Sequence, residues 1–186
     1  MRRRQACDFI AGPFLSDSPG LMAISMRLYL APDSDLRAFG GAPRTLRVWL
    51  RYPRAIPDVS LDGHWQDLDA ILAAEPSVDS KAPLRPQGAD WTYPFVADHG
   101  AHALSSTSIE HLLHSIAQVG RPQVEAYVQR RWESRARQAG QSADLAAVQL
   151  SAETEELLLY LARLREVCAL AVGKGYGMLM VLWGKS

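Results

Sequence analysis

The hydrophobic pattern is most regular near the end of the chain, where it predicts a helix followed by a strand over residues 151–183. Ser151 is placed to cap the helix, and glutamates in the first turn face the positive end of its dipole. Apolar residues then recur along one face at spacings of four, three, four and three, at Leu157, Leu161, Leu164, Cys168 and Ala171. Gly173 ends the helix, and the apolar run Met178–Trp183 predicts a buried strand.

A second strand is predicted near the start of the chain. Apolar and other residues alternate with period two over Met22–Leu30, which is the pattern of a half-buried strand. Residues 1–20 show no periodicity and contain several turn formers. We therefore expect residues 1–20 to be a tail without fixed structure or a mis-called translation start, and the domain to span 21–186.

Five helices are predicted between and beside these strands, near 34–39, 62–74, 107–118, 122–139 and 152–172. Asp62 is the predicted cap of the second helix, and Thr107 with Glu110 has the spacing of a capping box for the third. Thr45–Tyr52 fits either a strand or a helix. The helix is favoured because Pro43 stands where the first helical residue would be.

Two stretches are predicted to lie outside regular structure. Glu75–Gly100 is rich in Pro, Gly and Asp, and reads as a long loop with a short strand at Trp91–Val96. Gly140–Ala143 is predicted to link two helices. The expected fold class is therefore α+β: a single domain with a small mixed sheet that contains the N- and C-terminal strands, packed against about five helices.

Composition narrows the classes of function. The chain has 186 residues, 48% of them apolar, which is enough for one core without metal or disulfide support. Twenty basic and twenty acidic residues give zero net charge, which argues against nucleic acid and anionic membranes as partners. No apolar run is long enough to span a membrane, and no apolar stretch of a signal peptide follows the basic N-terminus. A cytoplasmic location is expected by elimination, and arginine in preference to lysine suggests a GC-rich bacterial genome.

The order of these motifs resembles that of the YfbM-like family of bacterial proteins of unknown function. The resemblance rests on the Met-rich strand at residues 22–28, the sequence LDGHWQDLDAIL at 61–72, the sequence GAHALS at 100–105 and the final helix, glycine turn and apolar strand. It covers residues from Met22 to the end. Family members often have a histidine where this chain has Asp69. The resemblance implies a small α+β domain and implies no activity.

Candidate chemistry is sparse. His99, His102, His111 and His114 lie within sixteen residues, but their spacing matches no metalloenzyme motif, and we expect at most two of them to meet. Trp65 with His64 and Asp67 could line a pocket, but a Trp in register with apolar residues of the same helix is interpreted as a core residue. Cys168 falls on an apolar face, where a thiol is normally inert. No metal, cofactor or catalytic set is therefore expected.

Two hypotheses of function remain. The first is a non-catalytic protein-interaction module, for example an immunity-type protein, which would present a patch of exposed aromatic and arginine residues. The second is a small-molecule or metal-dependent enzyme with a site in the 75–114 region. The candidate binding residues are Trp91, Tyr93, His102, His111, Arg130 and Arg131. The sequence predicts neither the partner nor the oligomeric state.

Overall fold

The structure is a computed structural model that describes residues 24–51, 59–74, 84–93, 100–139 and 146–184. The tail predicted at 1–20 and the linker predicted at 140–143 lie outside the described residues. So do residues 75–83 and 94–99 of the predicted long loop.

Five strands and six α-helices make up the described part of the chain. In chain order they are β1 (Ile24–Pro32), α1 (Asp33–Gly41), α2 (Pro43–Arg51), β2 (Val59–Asp62), α3 (Trp65–Ala73), β3 (Trp91–Tyr93), β4 (Ala101–Leu104), α4 (Ser106–Gln118), α5 (Arg121–Ala139), α6 (Ala146–Lys174) and β5 (Tyr176–Gly184). A short 3₁₀ turn at Pro86–Gly88 precedes β3. The α+β class is confirmed, and the ambiguous stretch after residue 43 is a helix, as favoured.

The strands form one sheet in the order β2-β1-β5-β4-β3. The two terminal strands are neighbours, and their register runs from Ile24 opposite Gly184 to Pro32 opposite Tyr176. The prediction of a mixed sheet is wrong, because every described strand pair is antiparallel. An apolar alternation looks the same in either strand direction, so the sequence pattern carried no information on this point.

The larger core lies between one face of the sheet and the helices α3 to α6. The predicted face of α6 is buried there in full, from Leu157 to Ala171, against Met26, Leu28 and Met180. Val124 and Val128 of α5 join the same core. The helical spacing of the apolar residues therefore correctly predicted the buried face of the longest helix.

The other face of the sheet packs against α1 and α2. Tyr29 and Leu179 of the sheet meet Leu36, Phe39 and Leu46 in a second, smaller apolar cluster. The partly buried residues Trp49, Trp91 and Trp183 border this cluster. The domain therefore has three layers, with the sheet in the middle.

The start of α4 is held by residues from elsewhere in the chain. Its N-cap is Ser105, whose Oγ accepts a hydrogen bond from the backbone N–H of Ser108 at 3.3 Å, so the predicted cap at Thr107 is wrong. The carboxylate of Asp33 accepts from the Ser106 N–H at 3.0 Å and from its hydroxyl at 2.8 Å. Asp90 accepts from the Ser105 N–H at 2.6 Å. Carboxylates thus supply the partners that the first turn of a helix lacks.

Two other predicted helix starts are also wrong. Asp62 belongs to β2, and α3 begins at Trp65 after His64. Ser151 lies inside α6, which begins at Ala146, so the carboxylates that follow it are not in the first turn. A Ser or Asp before an apolar run caps a helix only where the residues before it are not helical. Ser151 fails this condition because α6 has already begun, and Asp62 lies too early because it belongs to β2.

Candidate functional site

A network of polar side chains joins α3, α5 and α6 on the outer side of the larger core. Asp67 on α3 is its centre: one carboxylate oxygen accepts from the Tyr127 hydroxyl at 2.6 Å, and the other lies 2.8 Å from Nη1 of Arg131. Asp67 and Tyr127 are 60 residues apart in the chain. Asp67 is largely buried, and a buried charge is costly unless it is paired. The ion pair with Arg131 supplies that pairing.

His64 extends this network to α6. Its Nε2 lies 3.1 Å from a carboxylate oxygen of Glu156, while its Nδ1 is 3.9 Å from Asp67, which is beyond hydrogen-bond distance. The imidazole stacks on the ring of Tyr160 with centroids 4.6 Å apart, and the guanidinium of Arg163 lies 5.3 Å from that same ring centroid. These contacts fix the start of α3 against the middle of α6.

The Tyr127 hydroxyl is held in its protonated form. Burial, and then the hydrogen bond to Asp67, raise the pKa of Tyr127 to about 12. The hydroxyl therefore donates to Asp67 at every physiological pH, and the ring is held in one position. Tyr127 is suited to form the wall of a binding site and is poorly suited to act as a base.

A cleft of about 160 Å³ lies beside this network, between α3 and α5. Its lining residues are Ile71, Ala74, Gln123, Ala126, Tyr127 and Arg130. Four of them form a single stripe of α5 with the spacing i, i+3, i+4 and i+7, so one face of this helix makes one side of the cleft. The middle of the cleft is apolar, and its two ends on α5 are polar.

Arg130 provides the positive charge at one end of the cleft. Its side chain is exposed, and among the described residues no carboxylate oxygen lies within 4 Å of its guanidinium. The neighbouring arginines differ: Arg131 pairs with Asp67, and Arg135 lies 3.7 Å from Glu153. Arg130 therefore differs from both neighbours in having no acidic partner within the described part of the protein.

Gln123 provides the polar group at the other end. Its Oε1 accepts a hydrogen bond from the Gly120 N–H at 3.1 Å, just before α5 begins. With the amide oxygen engaged in this cap, the side-chain N–H groups of Gln123 are left as donors. Both polar ends of the cleft thus offer hydrogen-bond donors.

A separate polar cluster, buried except for the Arg85 side chain, holds the segment that leads into β3. Nε2 of His102 lies 3.1 Å from the carbonyl oxygen of Leu84, and the Leu84 N–H donates to Asp69 at 3.0 Å. Arg85 makes an ion pair with Asp69 at 2.6 Å. Because a carbonyl only accepts, His102 carries its proton on Nε2. Both backbone groups of Leu84 are therefore held by buried side chains.

Burial shifts the pKa values of this cluster in opposite senses. His102 is 1% exposed, and burial lowers its pKa to about 4, against a smaller opposing effect of the hydrogen bond to Leu84. Burial raises the pKa of Asp69, and the Leu84 N–H and the Arg85 guanidinium oppose that rise. At neutral pH His102 is neutral, so it serves as a structural donor in the core.

The predicted binding residues do not form one patch. Trp91 and Tyr93 lie on the face of the sheet that packs against α1 and α2, whereas α5 with Arg130 and Arg131 packs on the opposite side. Tyr93 is buried, with its hydroxyl donating to the Leu36 carbonyl at 2.6 Å. Only the two arginines are brought to the cleft region, and a binding role for any of these residues stays a prediction.

The predicted histidine group is also divided. His102 is buried in β4, whereas His111 and His114 are exposed on α4, and His99 lies outside the described residues. Within the described ranges no group of three or more His, Cys, Asp or Glu side chains is placed to hold a metal ion. Among the same ranges no helix is long and apolar enough to cross a membrane.

None of the site residues His64, Asp67, Gln123 and Tyr127 is among the predicted binding residues, although His64 and Asp67 were noted beside Trp65. Trp65 is buried, as interpreted, and its Nε1 donates to the Ile24 carbonyl at 3.2 Å. The polar residues on either side of it were set aside with it. The available signal was that an aspartate and a histidine three residues apart share a helix face, but their partner on α5 had no local signature.

The fold and the site define a small α+β domain with an antiparallel sheet between two helical layers and a polar-ended cleft on the thicker layer. The same fold is seen in the crystal structure of YfbM from Escherichia coli, a protein of unknown function, with a TM-score of 0.56. The two chains are 13% identical, and the likeness covers 86% of this chain and 99% of that chain. The predicted YfbM-like resemblance is confirmed at the level of fold. No protein-family model matches this chain, and no curated protein matches it in sequence.

Proposed function

We propose that this protein is a non-catalytic interaction module of the bacterial cytoplasm that binds a protein partner, as immunity-type proteins do, through the cleft between α3 and α5. The observation that carries the proposal is the position of Arg130. A guanidinium with no acidic partner among the described residues stands at the end of an apolar cleft. A partner with an acidic group beside an apolar one would pair with Arg130 and cover the cleft.

The walls of the cleft support binding to a preformed surface. The Tyr127 ring is fixed because its hydroxyl is held by Asp67 at 2.6 Å, so little rotamer freedom is lost when a partner packs against it. Tyr and Arg are also the residue types most often found at the energetic centres of protein interfaces. Ala74, exposed at the end of α3, adds apolar surface, whereas Ile71 lines the cleft but is largely buried.

The protonation states of Tyr127 in the cleft and of Cys168 in the core favour binding over catalysis. Tyr127, with its pKa raised to about 12, stays protonated, and Asp67 is neutralised by Arg131. Burial raises the pKa of the Cys168 thiol to about 12, so that group is not a nucleophile at neutral pH. Among the described residues, these groups therefore serve to hold the fold together, and none of them is poised to transfer a proton or attack a substrate.

Affinity capture with charge reversal tests the proposal. The wild-type protein, Arg130→Glu and Arg44→Glu are used as bait in a bacterial lysate; Arg44 is exposed on α2, on the other side of the sheet. We expect a stoichiometric partner that is retained by wild type and Arg44→Glu and lost with Arg130→Glu. A partner retained equally by all three baits would refute the assignment to this cleft, and capture of none by the wild type would refute the function.

A further inference from the structure

We infer that the α3–α5 cleft recognises an extended acidic peptide segment, with a carboxylate on Arg130, an apolar side chain against Ile71 and Tyr127, and a backbone carbonyl on Gln123. This inference rests on the proposed function and specifies the ligand of the same site. It follows from the donors at the two ends of the cleft, the distance between them and the size of the apolar space.

The ends of the cleft require a ligand that accepts hydrogen bonds. The Arg130 guanidinium only donates, and Gln123 has its oxygen occupied by the Gly120 N–H at 3.1 Å, which leaves its N–H groups. Arg131 is neutralised by Asp67 at 2.8 Å. A single negative charge therefore suits the Arg130 end, and a neutral acceptor such as a peptide carbonyl suits the Gln123 end.

The spacing of the two ends matches a short extended peptide. Gln123 and Arg130 are seven residues apart on α5, which places them about 10 Å apart along the helix axis. An extended chain advances about 3.3 Å per residue, so about three residues cover the same distance along the helix. A carboxylate-bearing residue, an apolar residue and the carbonyl that follows them fit this distance.

The cleft as a whole is small enough to hold only one large side chain. Its volume, polar ends included, is about 160 Å³, close to that of an apolar cavity of about 150 Å³ known to bind benzene. Ile71, Ala126 and the Tyr127 ring line it. A leucine-sized group next to the carboxylate would fill this space and exclude water from the Arg130 contact, which strengthens a charged hydrogen bond.

The test is an NMR titration of the full chain with blocked tetrapeptides. The probe has the order glutamate, leucine, glycine, glycine; one analogue replaces glutamate with glutamine, and a second replaces leucine with glycine. We expect millimolar binding with shifts at Ala126, Tyr127 and Arg130, and about tenfold weaker binding for each analogue. Equal binding of the glutamine analogue, or shifts confined to another surface, would overturn the inference. So would inorganic phosphate that binds as well as the probe.

Variants separate the two ends of the site. Arg130→Gln is expected to weaken the probe about tenfold, and Arg44→Gln to leave it unchanged. Gln123→Glu keeps an acceptor for the Gly120 N–H but removes the amide donors, so it should weaken the probe without unfolding the start of α5. Unchanged affinity in folded Arg130→Gln or Gln123→Glu would contradict the inference. A captured partner that depends on Arg130, together with no binding of the peptide, would reject this ligand and leave the proposed function standing.

Discussion

Acidification should destabilise the fold through one buried residue, His102. Its folded-state pKa is about 4, below the ordinary value of 6.5. As the pH falls through 6.5 the unfolded chain binds a proton that the folded protein does not bind until the pH approaches 4. Stability is therefore lost across this window. At about 1.4 kcal/mol per pH unit the full difference is about 3 kcal/mol, of which about 2 kcal/mol is lost by pH 5.

The structural cause is the second ring nitrogen. Nδ1 of His102 is buried and has no hydrogen-bond partner among the described residues, so a proton added there would be a buried donor with no acceptor. The neighbouring Asp69 acts in the opposite sense. Its pKa is raised by burial, so the stability that it costs at neutral pH is regained as the pH falls. A comparison between variants that all retain Asp69 isolates the histidine.

His102→Gln provides that comparison, because its amide N–H can still donate to the Leu84 carbonyl while nothing at the position titrates. His111→Gln, at an exposed position of α4, is the matched control. Urea unfolding followed by tryptophan fluorescence at pH 7 and pH 5 gives the free energy of unfolding of each protein. Between pH 7 and pH 5, the free energy of unfolding of the wild type and of His111→Gln should each fall by about 2 kcal/mol more than that of His102→Gln. An equal loss in all three would refute the buried neutral histidine.

Three further substitutions test the packing and the site. Gly177→Ala should lower the free energy of unfolding by about 3 kcal/mol, because its Cβ would overlap a backbone carbonyl of β4. Thermal melts measure the effect, and Gly173→Ala, which has open space at its Cβ, should not destabilise the protein in them. Asp33→Ala should lower the free energy of unfolding in chemical denaturation by about 2 kcal/mol, because it removes the acceptor at the start of α4. An equal loss in Asp35→Ala, at an exposed position, would contradict that explanation. Tyr127→Phe should cost about 1–2 kcal/mol and weaken peptide binding less than Arg130→Gln does; unchanged stability would mean that the hydroxyl does not hold the α3 carboxylate.

The elements that bury a regular apolar face could be predicted from the sequence. The buried face of α6 follows from its own spacing, and the strands β1 and β5 from alternation and an apolar run. β2 and β4 have four residues each, too few for a periodicity to stand out, so the sequence suggested neither. Residues 101–104, which supported the family resemblance but predicted no strand, form β4 because they pair with β5 on one side and β3 on the other.

Hydrophobic spacing by itself determined which residues of the long elements are inside, because burial of an amphipathic face depends only on the order of residues within one element. Tertiary structure decided which separated polar groups meet. Asp33 reaches the start of α4 across 73 residues, and Asp67 meets Tyr127 across 60, with no local pattern to announce either pair. It also placed Trp91 and Arg130 on opposite sides of the sheet. The cleft exists because two helices pack side by side, and the contact between them is a property of the folded chain that neither helix encodes alone.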